Sequence, residues 1–175
     1  MNNWLDNYPE LHGVRLNMIV AANGDFVDES GSSRGISNEL DRKLIGHLRR
    51  HSDVIVTGGN TARKEQYRVP SHCSLAVISN TFELDQINYI RIPEPSLAIE
   101  NLKAQGFERI LLETGPTLSK YFLKRDEVDE FCLTVAGAEP KIAAHTMASF
   151  ESNLTLHSAT ELDGTLFTVW RRGNR

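Results

Sequence analysis

Three short apolar runs, each closed abruptly by a glycine-bearing turn, constrain this chain more than any other feature. The first, Val14–Ala21, ends in Met18-Ile19-Val20-Ala21 and meets Asn23-Gly24; the second, Asp53–Thr57, meets Gly58-Gly59; the third, Ile110–Glu113, meets Thr114-Gly115-Pro116. Such continuous runs suit strands covered on both faces, as in a parallel sheet, better than half-exposed strands, which would alternate. Between the first two, Leu40, Leu44, Ile45 and Leu48 recur at helical spacing, so a helix is expected from an N-cap at Ser37 to about Arg50. Glu39 and Asp41 fall in its first turn, where the helix dipole favours negative charge. Leu75–Ser79 and Ile87–Ile92 read as further strands, and Ser96–Gln105 as a helix stopped by Gly106. Pro116 suits the first turn of another helix, carrying Leu118, Tyr121, Phe122 and Leu123. Glu130–Ala136, Leu154–Ala159 and Thr165–Arg171 then read as strands without helices between them. The expected architecture is α/β, a mostly parallel central sheet with flanking helices and antiparallel C-terminal strands. Residues 1–175 read as one domain, with residues 1–12 an extended N-terminal segment.

Charge and composition narrow the function classes. A formal net charge of -4 with no basic face argues against a nucleic-acid partner, which clustered Lys and Arg would serve. Arg171, Arg172 and Arg175 read as a solvated basic tail. No stretch approaches the roughly 20 apolar residues of a membrane span, and the polar Met1–Glu10 lacks a signal-peptide pattern. Cys73 and Cys132 read as unlinked thiols in a reducing cytoplasm, and without CxxC or paired His-Cys spacing no metal site is expected. The absence of G-x-S-x-G removes the serine-hydrolase elbow.

Three segments could carry chemistry. In Thr57-Gly58-Gly59-Asn60-Thr61 the glycines free the backbone to approach a ligand, and the helix start beyond offers N–H groups to a phosphate. A tight strand-to-helix turn accounts for the two glycines equally well. Glu113-Thr114-Gly115-Pro116-Thr117-Leu118 repeats the arrangement, and two such turns at the carboxyl ends of strands suggest a shared cleft for a pyrophosphate. Neither turn is a GxGxxG or GxxxxGK[ST] fingerprint. The loop from Asn23 to Ser37, with Ser33, Arg34 and Ser37, is placed to cover a ligand, and Arg34 suits a substrate phosphate; a plain surface loop has the same composition.

Taken in order, these stretches resemble the pyrimidine reductase domain of riboflavin biosynthesis, a branch of the dihydrofolate-reductase-like family. The matching elements are Met18–Gly24, Gly31–Ser37, Asp41-Arg42, Leu48-Arg49, Ser52–Val56, Gly58–Thr61 with Arg63, Glu65-Gln66-Tyr67, Glu113–Leu118 and Val128–Ala136. The resemblance implies hydride transfer from NADPH to the ribosyl carbon of a phosphoribosylamino-pyrimidine, giving the ribitylamino product. It implies that Thr57, Gly58, Gly59, Asn60, Thr61 and Thr114, Gly115, Pro116, Thr117, Leu118 bind the coenzyme. Glu113 would stand beside the nicotinamide and the reacting carbon, with Asn23 the second catalytic position. Ser33, Arg34, Ser37, Arg42, Arg63 and Glu65 would form the substrate side, and a homodimer through the C-terminal strands is expected by analogy. Two departures stand out: the family's Asp before Gly is Asn23, removing a carboxylate, and the first glycine of its Gly-Gly pair is Thr114, adding a side chain beside the pyrophosphate path. The segment Tyr67–Leu111 is also compressed, as if part of the adenine-side wall were trimmed, and the zinc signature of a cytidine deaminase is absent. The alternatives are a dihydrofolate-type reductase of another pteridine-like substrate and a degenerate paralogue that binds a nucleotide without turnover.

Overall fold

The computed structural model describes residues 3–81 and 88–173 of the chain. Among these residues eight strands form one sheet: β1 (Gly13–Ala21), β2 (Val54–Gly58), β3 (Ser74–Ile78), β4 (Ile90–Ile92), β5 (Arg109–Leu112), β6 (Glu130–Ala136), β7 (Thr155–Leu162) and β8 (Thr165–Arg171). Their order across the sheet is β4-β3-β2-β5-β1-β6-β8-β7. The first six strands in that order pair in parallel, and β8 joins β6 and β7 antiparallel. Among the described residues five α-helices flank the sheet: α1 (Glu39–Arg50), α2 (Gly59–Lys64), α3 (Ala98–Ala104), α4 (Pro116–Lys124) and α5 (Pro140–Ser149).

The parallel strands bury both faces, and this explains their lack of alternation. On one face Val14, Leu16, Met18 and Val20 of β1 pack with Ile99 and Leu102 of α3, Phe122 of α4 and Met147 of α5. On the other, Ile55, Leu75, Leu111 and Cys132 pack with Leu44 and Leu48 of α1 and Ala62 of α2. Leu44 and Leu48 are 1% and 0% exposed, so each contributes roughly 1.5–3 kcal/mol by burial. β7 stands at the far edge with most side chains open to solvent, hence its polar sequence.

Several expectations change against these coordinates. The N-cap of α1 is Asn38, whose Oδ1 accepts from the Asp41 amide at 2.9 Å; the Ser37 hydroxyl instead donates to Asp41 Oδ2 at 2.6 Å. A helix, α5, lies between β6 and β7 where only strands were expected; it opens on Pro140 and buries just Ala143, Thr146 and Met147, too thin a stripe to show as periodicity. β4 spans Ile90–Ile92, and Ile87 of the expected longer strand lies outside the described residues. The first twelve residues are not simply extended: Trp4–Asn7 form a 3-10 turn, and Trp4 packs on Phe167 with ring centroids 4.7 Å apart. Nor are Arg171 and Arg172 a solvated tail. Arg171 belongs to β8 and bonds the buried Glu130 at 2.6 Å, and Arg172 bonds the Val128 carbonyl; Arg175 lies outside the described residues. Cys73 and Cys132 are both unpaired. Among the described residues no helix is long and apolar enough to cross a membrane.

Candidate active site

Where β1, β2 and β5 end and their chains turn outward, a cleft of about 1480 Å³ opens. This is the carboxyl edge of the parallel strands, where an open α/β sheet leaves room for ligands. The two glycine turns meet there. A Cβ on Gly58 would lie 2.8 Å from Leu118 Cδ1, and one on Gly115 would lie 3.2 Å from Thr61 Oγ1. The turn after β2 and the turn after β5 thus interlock, and glycine is what lets them approach.

Gly58, Gly59, Asn60, Thr61 and Thr114 through Leu118 all line the cleft. Thr57 does not: it is 0% exposed beneath the floor, and its hydroxyl has no hydrogen-bond partner. The Thr114 side chain turns away from the expected pyrophosphate path, its Oγ1 sharing a 2.8 Å hydrogen bond with Ser119 Oγ of α4. Asn23 is absent from the lining; it closes a local turn with Asp25, donating from Nδ2 at 2.7 Å and accepting the Asp25 amide at 3.1 Å.

The substrate-side residues, Ser33, Arg34, Ser37, Arg42, Arg63 and Glu65, all line the cleft, but several are bound to one another. Glu65 accepts from the Ser33 amide at 2.7 Å, the Ser32 hydroxyl at 3.0 Å and the Ser33 hydroxyl at 3.1 Å. Arg34 also pairs with its carboxylate at 3.3 Å and donates to its backbone carbonyl. Glu65 therefore fastens the Gly31–Ser37 loop to the end of α2. Arg42 donates to the Ser37 carbonyl at 3.2 Å and Arg63 to Asn60 Oδ1 at 3.0 Å.

Glu113 sits just past β5, 8% exposed. Arg49 at the end of α1 grips it twice, Nε to Oε1 at 2.8 Å and Nη2 to Oε2 at 2.6 Å, and the Tyr67 hydroxyl donates to Oε2. The guanidinium also lies over the Tyr67 ring, 5.3 Å from its centroid. Burial would lower the Arg49 pKa, but the bonds and charge of Glu113 outweigh it and the pKa is raised. Burial first and Glu113 second raise Tyr67 well above the ordinary tyrosine range. The same two causes push the Cys73 thiol up to about 11.

Sequence reasoning gave Arg49 and Tyr67 no role and Asp41 only a helix-dipole one. A signal was present: Asp41, Ile45 and Arg49 recur every four residues, so α1 turns one face, with Arg42 and Gly46 beside it, into the cleft. Asp41 is 0% exposed; burial raises its pKa, Glu113 adding to the rise while Ser37, Thr134 and Arg42 oppose it. In all, Arg34, Arg42, Arg49, Arg63, Lys64 and Arg68 face three carboxylates, Asp41, Glu65 and Glu113, within a chain of net charge -4. The cleft concentrates positive charge that the rest of the surface lacks, which favours an anionic ligand.

The sequence model of the RibD C-terminal domain matches residues 12–142. No protein of curated function matches the chain. Among solved structures, a pyrimidine reductase-like protein from Corynebacterium diphtheriae superimposes with TM-score 0.74 at 20% identity, over 93% of this chain and 92% of that one. The riboflavin biosynthesis reductase of Saccharomyces cerevisiae does so with TM-score 0.60 at 14% identity, over 96% and 97%. The dihydrofolate reductase of Schistosoma mansoni gives TM-score 0.65 at 13% identity, over 92% and 98%. The fold is thus dihydrofolate-reductase-like.

Proposed function

The chain belongs to the RibD C-terminal domain family, and we propose that it is an NADPH-dependent reductase of the riboflavin-pathway type. Its reaction reduces the ribosyl group of a phosphoribosylamino-pyrimidine to ribityl. The observation that carries this reading is the pair of interlocked glycine turns at the strand ends, set in a cation-rich cleft.

The residues fit such a coenzyme. Gly58 and Gly115 leave the backbone bare where the turns converge, and the start of α4 adds the amides of Thr117 and Leu118, which lack intrahelical acceptors. NADPH supplies the hydride when bound; the protein's part is orientation and charge placement. In this reading Gly58, Gly59, Asn60, Thr61 and Gly115 through Leu118 hold the coenzyme's phosphates and ribose. Arg42, Arg63, Lys64 and Arg68 face the substrate's phosphate. Glu113, bonded on both oxygens, acts by fixing the Arg49 guanidinium against the cleft. Glu65 acts one step back, holding the loop that carries Arg34. Neither Asn23 nor Thr57 reaches the cleft, so the proposal gives them no direct part.

Two unpaired cysteines suit a reducing cytoplasm. A homodimer through the β7 edge extends the proposal, because an eight-residue edge strand leaves backbone groups open to a second copy. Sedimentation showing only monomer at micromolar concentration removes it. The test of the main reading is a titration with NADPH and with NADH, followed by nicotinamide fluorescence, and then turnover of the phosphoribosylamino-pyrimidine. Saturable NADPH binding with turnover supports it; binding of neither coenzyme sinks it.

A further inference from the structure

Helix α1 carries a glycine that its own packing does not require. Gly46 stands in the interior of the helix, partly exposed and in ordinary helical conformation, and it lines the cleft. A Cβ built on it meets, among the described residues, only Arg50 Nη1 at 3.4 Å, the far end of a flexible side chain. Alanine would therefore fit. Glycine inside a helix is less stable than alanine, because more backbone freedom is lost on folding. Gly58 and Gly115 differ, since there the facing turn occupies the space a side chain would need. No described neighbour plays that part at Gly46.

What surrounds this glycine is positive charge. Arg42, Gly46 and Arg49 recur at i, i+4 and i+7, which sets them in one row along α1, and all three line the cleft. Arg50, one turn beyond Gly46, brings its Nη1 back over the glycine. Arg49 uses Nε and Nη2 on Glu113, and Arg42 uses Nη1 on the Ser37 carbonyl, so each guanidinium keeps further N–H groups besides those bonds. The outcome is a bare strip of helix flanked by guanidinium groups. Guanidinium forks match phosphate oxygens, and a backbone without a side chain lets a narrow chain lie against the helix. We propose that Gly46 is the size-determining residue of the substrate side: the substrate's phosphorylated sugar chain lies over it, between Arg42 and Arg49. The proposal rests on the reductase reading and adds to it the residue that limits the bulk accepted there. Any side chain at position 46 occupies that seat, and the helix forgoes some stability to keep it open.

Ribose 5-phosphate is the probe, its binding to the full-length protein measured by titration calorimetry without coenzyme and then with saturating NADPH. Gly46→Ala and Gly46→Leu are compared with the unmodified chain. Both should raise Tm, alanine by roughly 2–4 °C, because each replaces a glycine inside a helix. Leucine should weaken ribose 5-phosphate by about tenfold or more, since it fills the seat, and alanine by a smaller factor. NADPH affinity, read by nicotinamide fluorescence, should be unchanged in both. A fall in Tm with alanine overturns the proposal, because the glycine would then serve the fold. Equal ribose 5-phosphate affinity in all three proteins, a parallel fall in NADPH affinity, or no ribose 5-phosphate binding by the unmodified chain overturns it too. If the leucine variant does not fold, alanine still decides, through the opposite signs expected for its stability and its affinity. Failure of the reductase reading shows separately: the unmodified chain then binds no NADPH, while ribose 5-phosphate still binds and still depends on position 46.

Discussion

Replacing Glu113 by Gln tests whether the Arg49–Glu113 pair is a structural unit of the cleft. The substitution keeps the shape and removes the charge that Arg49 bonds through both Nε and Nη2. Breaking a fully buried ion pair by removing one partner costs about 3–5 kcal/mol. The Arg49 side chain is 33% exposed against 8% for Glu113, so water recovers part of that penalty, leaving a loss of about 2–3 kcal/mol. For a chain of this size that is a fall in Tm of roughly 5–10 °C.

The single variant cannot separate the pair from general damage, so the design is a double-mutant cycle with Arg49→Met, followed by calorimetry at neutral pH. Arg49→Met alone leaves Glu113 buried with only Tyr67 as a donor and should cost a similar amount. With both residues replaced, no uncompensated charge remains, and the loss should fall short of the sum of the singles by about 2 kcal/mol. Half-molar salt should change this coupling little, because the pair is largely shielded from solvent. Additivity within about 0.5 kcal/mol would refute the reasoning, since independent sites behave that way.

Other outcomes follow from the same geometry. Thr57→Val removes a fully buried hydroxyl that has no partner and should stabilise the protein by on the order of 1 kcal/mol, seen as a higher denaturation midpoint, with coenzyme affinity unchanged. Thr114→Gly should not tighten coenzyme binding in a fluorescence titration, because its side chain bonds Ser119 rather than facing the ligand; it should instead cost about 1 kcal/mol of stability. Cys73, raised to about 11, should react with iodoacetamide much more slowly than a free thiol at pH 8, and faster as pH climbs towards that value; parity with a model thiol would contradict the burial that raises it. For Asp41 the folded pKa is raised, so its ionisation opposes folding above the ordinary carboxylate range. Asp41→Asn should therefore raise Tm near pH 7 and lose that advantage as the pH falls towards 4, checked by melts at both values.

How much of this was legible in the sequence depends on whether a signal was local. The parallel strands announced themselves because burial on both faces removes alternation, so the apolar runs Asp53–Thr57 and Ile110–Glu113 fell within a residue of the strands Val54–Gly58 and Arg109–Leu112. A cleft shared by the two turns was suggested by the repeated strand–glycine–helix pattern, since both strands end on the same edge of one sheet; that the turns interlock was not. The helix α5 stayed hidden because it lies on the sheet by a narrow stripe and is otherwise exposed, leaving no period to detect.

Site chemistry followed the same division. The two glycine turns were visible as motifs, and their meeting at one cleft was expected from their places at strand ends. Partnerships among side chains were not, since Arg49 and Glu113 are 64 residues apart and meet only when α1 packs over β5. The same holds for Glu65, a substrate ligand by resemblance, whose carboxylate is taken by Ser32, Ser33 and Arg34 more than thirty positions away. In each case the residue lines the cleft as expected, and the side chains that hold it come from distant parts of the chain. A charge at the edge of a sheet is a prediction about location; its role is decided by whether folding supplies a partner. Glu113 and Glu65 receive theirs from the chain.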